Sequence, residues 1–172
     1  MCPHDKSVPR AVLAALLLLM LPVASFADLK EADNLPDLAS FQLEGKLPEE
    51  LKGRVILLDF WASWCGPCKS SFPAMEDLTK EFTGQGLTII AISVDEKREN
   101  MQQFLKSANV SFTVVRDARQ KLVAAADVPT MPTSFLIDRS GNVRFIHAGF
   151  DRDKSPRQLA TEIQQLLQEP KP

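Results

Sequence analysis

The sequence predicts an α/β domain in which a mixed central sheet is covered by helices on both faces. Two observations lead to this prediction. Apolar runs typical of buried strands alternate with segments of helical apolar spacing, and a tight turn joins the last two predicted strands. Alternation favours parallel strands, whereas a tight turn joins antiparallel ones. The predicted order is strand, helix, strand, helix, strand, helix, strand, strand, helix.

The predicted strands are short and apolar. They cover residues 54–60, 87–94, 112–115, 133–137 and 143–146. The first is interrupted only by Asp59, and such a nearly continuous apolar run is typical of a central strand buried on both faces. Gly141 and Asn142 supply the turn between the last two strands.

The predicted helices have apolar residues at steps of three and four. The first follows residues 64–68 and contains Pro73, which we expect to kink it because proline lacks a backbone donor. Two further helices are predicted around 101–108 and 120–126, and a closing helix is predicted to begin at an N-cap, Ser155, followed by Pro156. The polar segment 28–52 is expected to be an extended lead-in that pairs as a small hairpin.

Residues 1–27 resemble a secretory signal peptide. Lys6 and Arg10 precede the apolar run 11–21, and small residues precede a cleavage site after Ala27. The alternative is an uncleaved membrane anchor, but the apolar run is well short of the ~20 residues that a spanning helix needs. We therefore expect cleavage, with a periplasmic or otherwise extracytoplasmic location.

The mature domain is predicted to cover residues 28–172. It would lose Cys2 with the signal peptide and keep Cys65 and Cys68, one possible intrachain pair. The length favours a single domain, which we expect to be a monomer. With 20 basic and 22 acidic side chains and a net charge of −2, the chain lacks the basic surplus typical of nucleic-acid binding.

Cys65 and Cys68 are predicted to lie where the first strand leads into the first helix. Free backbone N–H groups at a helix N-terminus favour thiolate over thiol, so Cys65 is the expected nucleophile. The spacing allows the two sulfurs to join as a disulfide, with Gly66 and Pro67 shaping the entry to the helix. Cys65 would attack a substrate disulfide, and Cys68 would then resolve the mixed disulfide.

Two alternatives for this pair are a zinc site and a purely structural disulfide. A zinc site needs four ligands, and the mature chain offers two cysteines and His147, so we expect no metal and no cofactor. A disulfide closing so short a loop would constrain the unfolded chain little. His147 is expected to be an ordinary strand residue.

Asp59 is the second candidate catalytic residue. A carboxylate inside a buried strand loses hydration, which raises its pKa. We expect it to lie beneath the cysteines and to exchange the proton of Cys68 through a water molecule. The alternative is a strand-edge residue that faces water.

Thr130, Met131 and Pro132 precede a predicted strand. They form either an ordinary loop or, with a cis Met131–Pro132 bond, a backbone surface for an extended substrate segment. Trp64, next to Cys65, is expected at the surface around the reactive sulfur, and Trp61 in the core.

These residues resemble those of thioredoxin. The run from Asp59 to Lys69 contains Trp64-Cys-Gly-Pro-Cys68, Pro73 follows in the helix, and Pro132 precedes a strand. The export signal, and the extra helix and strand between 94 and 117, resemble more specifically the exported TlpA/ResA-like thioredoxins. The resemblance covers nearly all of the mature chain.

The resemblance implies a thioredoxin fold with an extra helix–strand insertion, Cys65 as the attacking cysteine, Cys68 as the resolving cysteine and Pro132 in cis. It also implies a reductase of disulfides in exported proteins, including apocytochromes c and copper-site assembly proteins, that is recharged by a membrane electron donor. Ser71 departs from the members dedicated to cytochrome c maturation, which carry glutamate there. Asp59 resembles general thioredoxins rather than the dedicated reductants.

Three other functions stay open at this point. A disulfide oxidase or isomerase would use the same cysteines at a different redox potential. A copper chaperone would bind copper through Cys65, Cys68 and His147. A peroxidase is the weakest alternative, because no threonine stands at the expected short spacing before Cys65.

Overall fold

The computed structural model describes residues 30–171, and the predicted signal peptide, residues 1–27, lies outside them. The domain is built on a five-stranded sheet with the spatial order β3-β2-β1-β4-β5. The strands are β1 (Val55–Trp61), β2 (Leu87–Ser93), β3 (Thr113–Arg116), β4 (Thr133–Ile137) and β5 (Val143–Ala148). The five predicted strands are therefore all present, with ends that differ by no more than two residues.

The central strand β1 lies between a parallel and an antiparallel neighbour. It pairs in parallel with β2 and antiparallel with β4, while β2–β3 is parallel and β4–β5 antiparallel. Every residue of β1 is buried, so the sheet is covered on both faces. The predicted mixed sheet is confirmed.

Among the described residues, four α-helices connect and close the sheet. They are α1 (Gly66–Phe82), α2 (Arg98–Ala108), α3 (Lys121–Ala125) and α4 (Ser155–Gln168). The Trp61 ring lies 4.6 Å from the Phe72 ring of α1 and 5.1 Å from the Phe104 ring of α2, so α1 and α2 cover the same face. The predicted order of helices and strands is confirmed, including the inserted pair α2 and β3. Within residues 30–171, no helix combines the length and apolar character that a membrane span needs.

The described part of the lead-in, residues 30–52, does not form the predicted hairpin. Residues Leu38–Phe41 form a short 3-10 helix, while Asn34 and Glu44 form isolated bridges with Asn142 and Arg116. The Glu44 carboxylate also accepts a 2.8 Å hydrogen bond from Arg116 Nε. The lead-in thus pairs with the rest of the domain rather than with itself, because the buried arginine supplies a partner that local spacing cannot reveal.

The start of α4 and the course of α1 also differ in detail from the prediction. The N-cap of α4 is Lys154 and the helix begins at Ser155, whose Oγ accepts a hydrogen bond from the Asp151 backbone N–H. Ser155 is therefore not the N-cap. Pro73 lies inside α1, and the helix continues through it to its end at Phe82.

Candidate active site

Cys65 and Cys68 form a disulfide at the start of α1. The S–S distance is 2.02 Å. Cys65 is the N-cap of the helix, Pro67 lies in the first turn, and the Cys68 backbone N–H donates a 3.1 Å hydrogen bond to Cys65 Sγ. The strand-to-helix junction predicted from the sequence is therefore where the structure places the pair.

The two cysteines differ in their exposure to solvent. Cys65 is 5% exposed, whereas Cys68, in the first turn of α1, is fully buried. Their neighbours Gly66 and Pro67 are exposed. Cys65 is therefore the more exposed of the two cysteines.

Asp59 is buried in the centre of β1, as the apolar pattern around it predicts. Its side chain is 1% exposed, and Oδ1 accepts a 2.6 Å hydrogen bond from Ser134 Oγ on β4. Oδ2 is buried and has no hydrogen-bond partner among the described residues. The alternative of an edge residue facing water is excluded by this burial.

Loss of hydration raises the pKa of Asp59 from 3.8 to about 7, against the hydrogen bond from Ser134, which lowers it. A group with such a pKa changes its protonation state near neutral pH. Asp59 is therefore suited to accept and return protons in this range.

The loop before β4 lies at the same end of the sheet as the cysteines. Thr133 pairs with Phe60 near the end of β1, the strand that leads to Cys65. The Met131–Pro132 peptide bond is cis, as the resemblance implies. Thr130 is exposed, Met131 half-buried and Pro132 buried.

The backbone of this loop is only partly used within the domain. The Thr130 carbonyl accepts from Thr133 Oγ1 at 2.9 Å, and the Pro132 carbonyl accepts from the Gly149 N–H at 2.7 Å. The Met131 N–H and carbonyl make no hydrogen bond to any of residues 30–171. Both groups are therefore available to pair with an extended segment of another chain.

The surface around the disulfide combines an exposed aromatic ring with an open groove of mixed polarity. Trp64, next to Cys65, is 68% exposed, whereas Trp61 is fully buried, as predicted for both. A groove of about 860 Å³ lies between α1 and α4 beside Gly66, with Pro73 and Phe150 among its lining residues. These features offer contact area to a polypeptide.

A network that the sequence analysis missed fixes the segment between β1 and Cys65. The buried Asp95 carboxylate accepts hydrogen bonds from the Ser63 N–H at 3.0 Å, from Ser63 Oγ at 2.7 Å and from Ser93 Oγ at 2.8 Å. Ser63 is two residues before Cys65, so Asp95 anchors the approach to the disulfide. Its signal in the sequence was a carboxylate directly after a buried strand.

Ser134 is the second residue that the sequence analysis missed. It interrupts an apolar strand, as Asp59 does, and the two residues are opposite each other in the β1–β4 register. The presence of a polar residue in each of two buried strands was visible in the sequence. The strand order that makes them neighbours was not.

His147 is bonded to a residue of α4 and not to the cysteines. Its Nε2 is 2.6 Å from Glu162 Oε2 of α4, and both side chains are largely buried. In residues 30–171, no group of three or more His, Cys, Asp or Glu side chains could hold a metal ion. The geometry therefore gives no support to His147 as a third copper ligand.

Comparisons with known proteins agree with this site. The redoxin family model matches residues 25–163. The thiol-disulfide oxidoreductase ResA of Bacillus subtilis is 38% identical over 117 residues, which are 67% of this chain and 65% of that protein. ResA of Geobacillus thermodenitrificans is 30% identical over 155 residues, 85% of this chain and 89% of that protein.

A solved structure is similar over most of its length. The crystal structure of a candidate thiol:disulfide interchange protein DsbE from Chlorobium tepidum has a TM-score of 0.75 and 37% sequence identity, covering 81% of this chain and 99% of that one. The fold is therefore thioredoxin-like, as predicted. The match to the Bacillus subtilis relative spans just under two thirds of that protein's length. The chain belongs to the redoxin family and is similar to the ResA and DsbE thiol–disulfide oxidoreductases within it.

Proposed function

We propose that this protein is an extracytoplasmic thiol–disulfide oxidoreductase that reduces disulfides of exported proteins through Cys65 and Cys68. The observation that supports this most strongly is the disulfide at the N-terminus of α1, with Cys65 slightly exposed and Cys68 fully buried. This difference in exposure supports Cys65 as the attacking cysteine and Cys68 as the resolving cysteine. The similarity to ResA supports the same activity.

In the first step, the Cys65 thiolate of the reduced protein attacks one sulfur of the substrate disulfide. A Cys65–substrate S–S bond forms, the substrate S–S bond breaks, and the leaving substrate thiolate takes up a proton. The hydrogen bond from the Cys68 N–H and the other free N–H groups of the first turn stabilise negative charge on Cys65 Sγ.

In the second step, Cys68 loses its proton and attacks Cys65 Sγ. The Cys65–Cys68 bond forms, the mixed disulfide breaks, and the second substrate thiol leaves, so that two electrons have passed to the substrate. Asp59 is the proposed acceptor of the Cys68 proton, through a water molecule, because its pKa of about 7 suits this exchange.

Trp64, Gly66, Pro67, Thr130, Met131 and Pro132 are proposed to bind the substrate. The exposed Trp64 ring supplies apolar contact, and the Met131 backbone supplies hydrogen bonds to an extended chain. The protein would act as a monomer after removal of residues 1–27, and a membrane dithiol donor would reduce the Cys65–Cys68 bond for the next cycle.

The redox potential tests the direction of electron flow. Equilibration of the protein with glutathione buffers of known ratio should give a value near that of reducing thioredoxins, about −270 mV, rather than that of strong oxidants, about −120 mV. A reducing value, together with reduction of insulin disulfides by the reduced protein, is the expected result. A value near that of the strong oxidants would assign the protein to the oxidases.

A further inference from the structure

The strongest unexplained feature is that the buried Asp59 carboxylate has a hydroxyl for a partner rather than a positive charge. Its neighbours in register are Ala91 on β2 and Ser134 on β4. Ser134 is the one described residue that hydrogen-bonds to its carboxylate. A buried carboxylate ordinarily needs a cation or several donors to remain ionised.

We propose that Ser134 is a positioning residue of this site, which holds Oδ1 of Asp59 by its hydroxyl, favours the ionised carboxylate and leaves Oδ2 to accept the Cys68 proton. This inference rests on the proposed function for its role in exchange. The 2.6 Å distance between Ser134 Oγ and Asp59 Oδ1 is that of a strong, charge-assisted O–H···O bond.

The hydrogen bond from Ser134 makes the two carboxylate oxygens of Asp59 unequal. Oδ1 is engaged by Ser134, whereas Oδ2 is buried with no partner among residues 30–171. A proton arriving at the carboxylate therefore binds Oδ2 without breaking an existing hydrogen bond. The hydrogen bond from the Ser134 hydroxyl also restricts rotation of the Asp59 carboxyl group, because strand pairing fixes both backbones in register.

The surroundings of Asp59 contain few charged groups that could stabilise its ionised carboxylate in place of Ser134. Trp61 lies on the same face of β1 as Asp59 and contacts α1 and α2. In the β4–β5 pair, His147 lies opposite Ser134. On the buried side of α1, Cys68 is held in the disulfide and carries no charge in the oxidised protein. On α4, Glu162 is bonded to His147. The buried residues that α4 contributes are apolar: Leu159, Ile163 and Leu166.

The titration of Asp59 tests this assignment without reference to activity. The carboxyl carbon of Asp59 is followed by ¹³C NMR from pH 5 to 10 in the oxidised wild-type protein and in Ser134→Ala, Ser134→Thr and Thr79→Val. Thr79→Val is the matched control, because Thr79 Oγ1 on α1 bonds to the Met75 carbonyl and not to Asp59. The His147–Glu162 pair is present in all four proteins.

We expect Ser134→Ala to move the Asp59 midpoint upward by about one pH unit, since a hydrogen bond to a charged group is lost. Ser134→Thr keeps the hydroxyl and should titrate like the wild type, as should Thr79→Val. An Asp59 midpoint in Ser134→Ala equal to that of Thr79→Val would overturn the assignment.

Insulin reduction by the same variants gives the functional readout. Below pH 7 the Ser134→Ala rate should fall about tenfold, in proportion to the smaller ionised fraction of Asp59. In an Asp59→Asn background, Ser134→Ala should change nothing further. If the wild type reduces no disulfide, the proposed function fails, while the NMR titration still decides the role of Ser134. If exchange occurs and the pH–rate profiles of Ser134→Ala and Ser134→Thr coincide, the proposed function stands and the positioning role of Ser134 is wrong.

Discussion

The Cys68 backbone N–H donates a 3.1 Å hydrogen bond to Cys65 Sγ, so one cysteine of the pair caps the helix that contains the other. The cap places Cys65 Sγ at the positive end of α1, and the first turn of the helix buries Cys68. A single turn of helix thus makes two chemically similar side chains unequal.

Alkylation tests this inequality directly. In single-thiol variants, Cys65 of Cys68→Ser should react with iodoacetamide at pH 7 at least about tenfold faster than Cys68 of Cys65→Ser, because exposure and thiolate character both favour Cys65. Mass spectrometry of timed samples gives the two rates. Equal rates would remove the basis for assigning the attacking role to Cys65.

Asp59→Asn should slow disulfide exchange while the protein still folds. The asparagine cannot accept the Cys68 proton, so the rate of insulin reduction at pH 7.5 should fall by at least about tenfold. The wild-type rate should rise as pH increases through the Asp59 pKa of about 7, whereas the variant should lack this inflection. An unchanged profile between pH 5 and 9 would exclude Asp59 from the proton transfer.

Asp59→Asn should also stabilise the oxidised protein at high pH. Because burial raises the pKa of Asp59, the unfolded chain releases the proton at lower pH than the folded protein does. The free energy of unfolding therefore falls as pH rises from about 4 to about 7, by about 4 kcal/mol in total, and then levels off. Urea unfolding should show Asp59→Asn more stable than wild type by about this amount at pH 8, with a difference of about 1 kcal/mol or less at pH 4. Parallel pH dependences would contradict the buried, protonated carboxyl.

Asp95→Ala should destabilise the domain through the segment that leads to Cys65. It leaves the Ser63 N–H and the Ser63 and Ser93 hydroxyls without their carboxylate acceptor. The expected loss is about 2–4 kcal/mol of unfolding free energy, measured by urea titration. Glu96→Ala is the control, because that side chain is exposed and adjacent in the chain. Similar losses in both variants would contradict the anchoring role of Asp95.

The fold was predictable because its signals are local. The apolar strands, the tight turn at Gly141 and the helical spacing after Cys68 are each determined within a few residues, and the structure contains the five predicted strands and the four predicted helices in order. The lead-in was not predictable in this way. Its Glu44 is held by Arg116, 72 residues further along the chain.

The candidate site likewise contains residues that local sequence reveals and residues that only the fold brings together. Cys65 and Cys68 lie three positions apart in the sequence, and Asp59 is conspicuous as a charge in an apolar run. Ser134, 75 residues from Asp59, acquires its meaning only from the pairing of β1 with β4. Asp95 likewise depends on the position of Ser63 at the end of the neighbouring strand.

Trapping of the mixed disulfide tests the central claim most directly. The Cys68→Ser variant, reduced and mixed with a synthetic peptide containing one disulfide, should accumulate a covalent adduct through Cys65 that dithiothreitol releases. The Cys65→Ser variant is the matched control and should form little or no adduct, because Cys68 is buried. An adduct that forms equally well through Cys68, or no adduct with either variant, would contradict disulfide exchange initiated by Cys65.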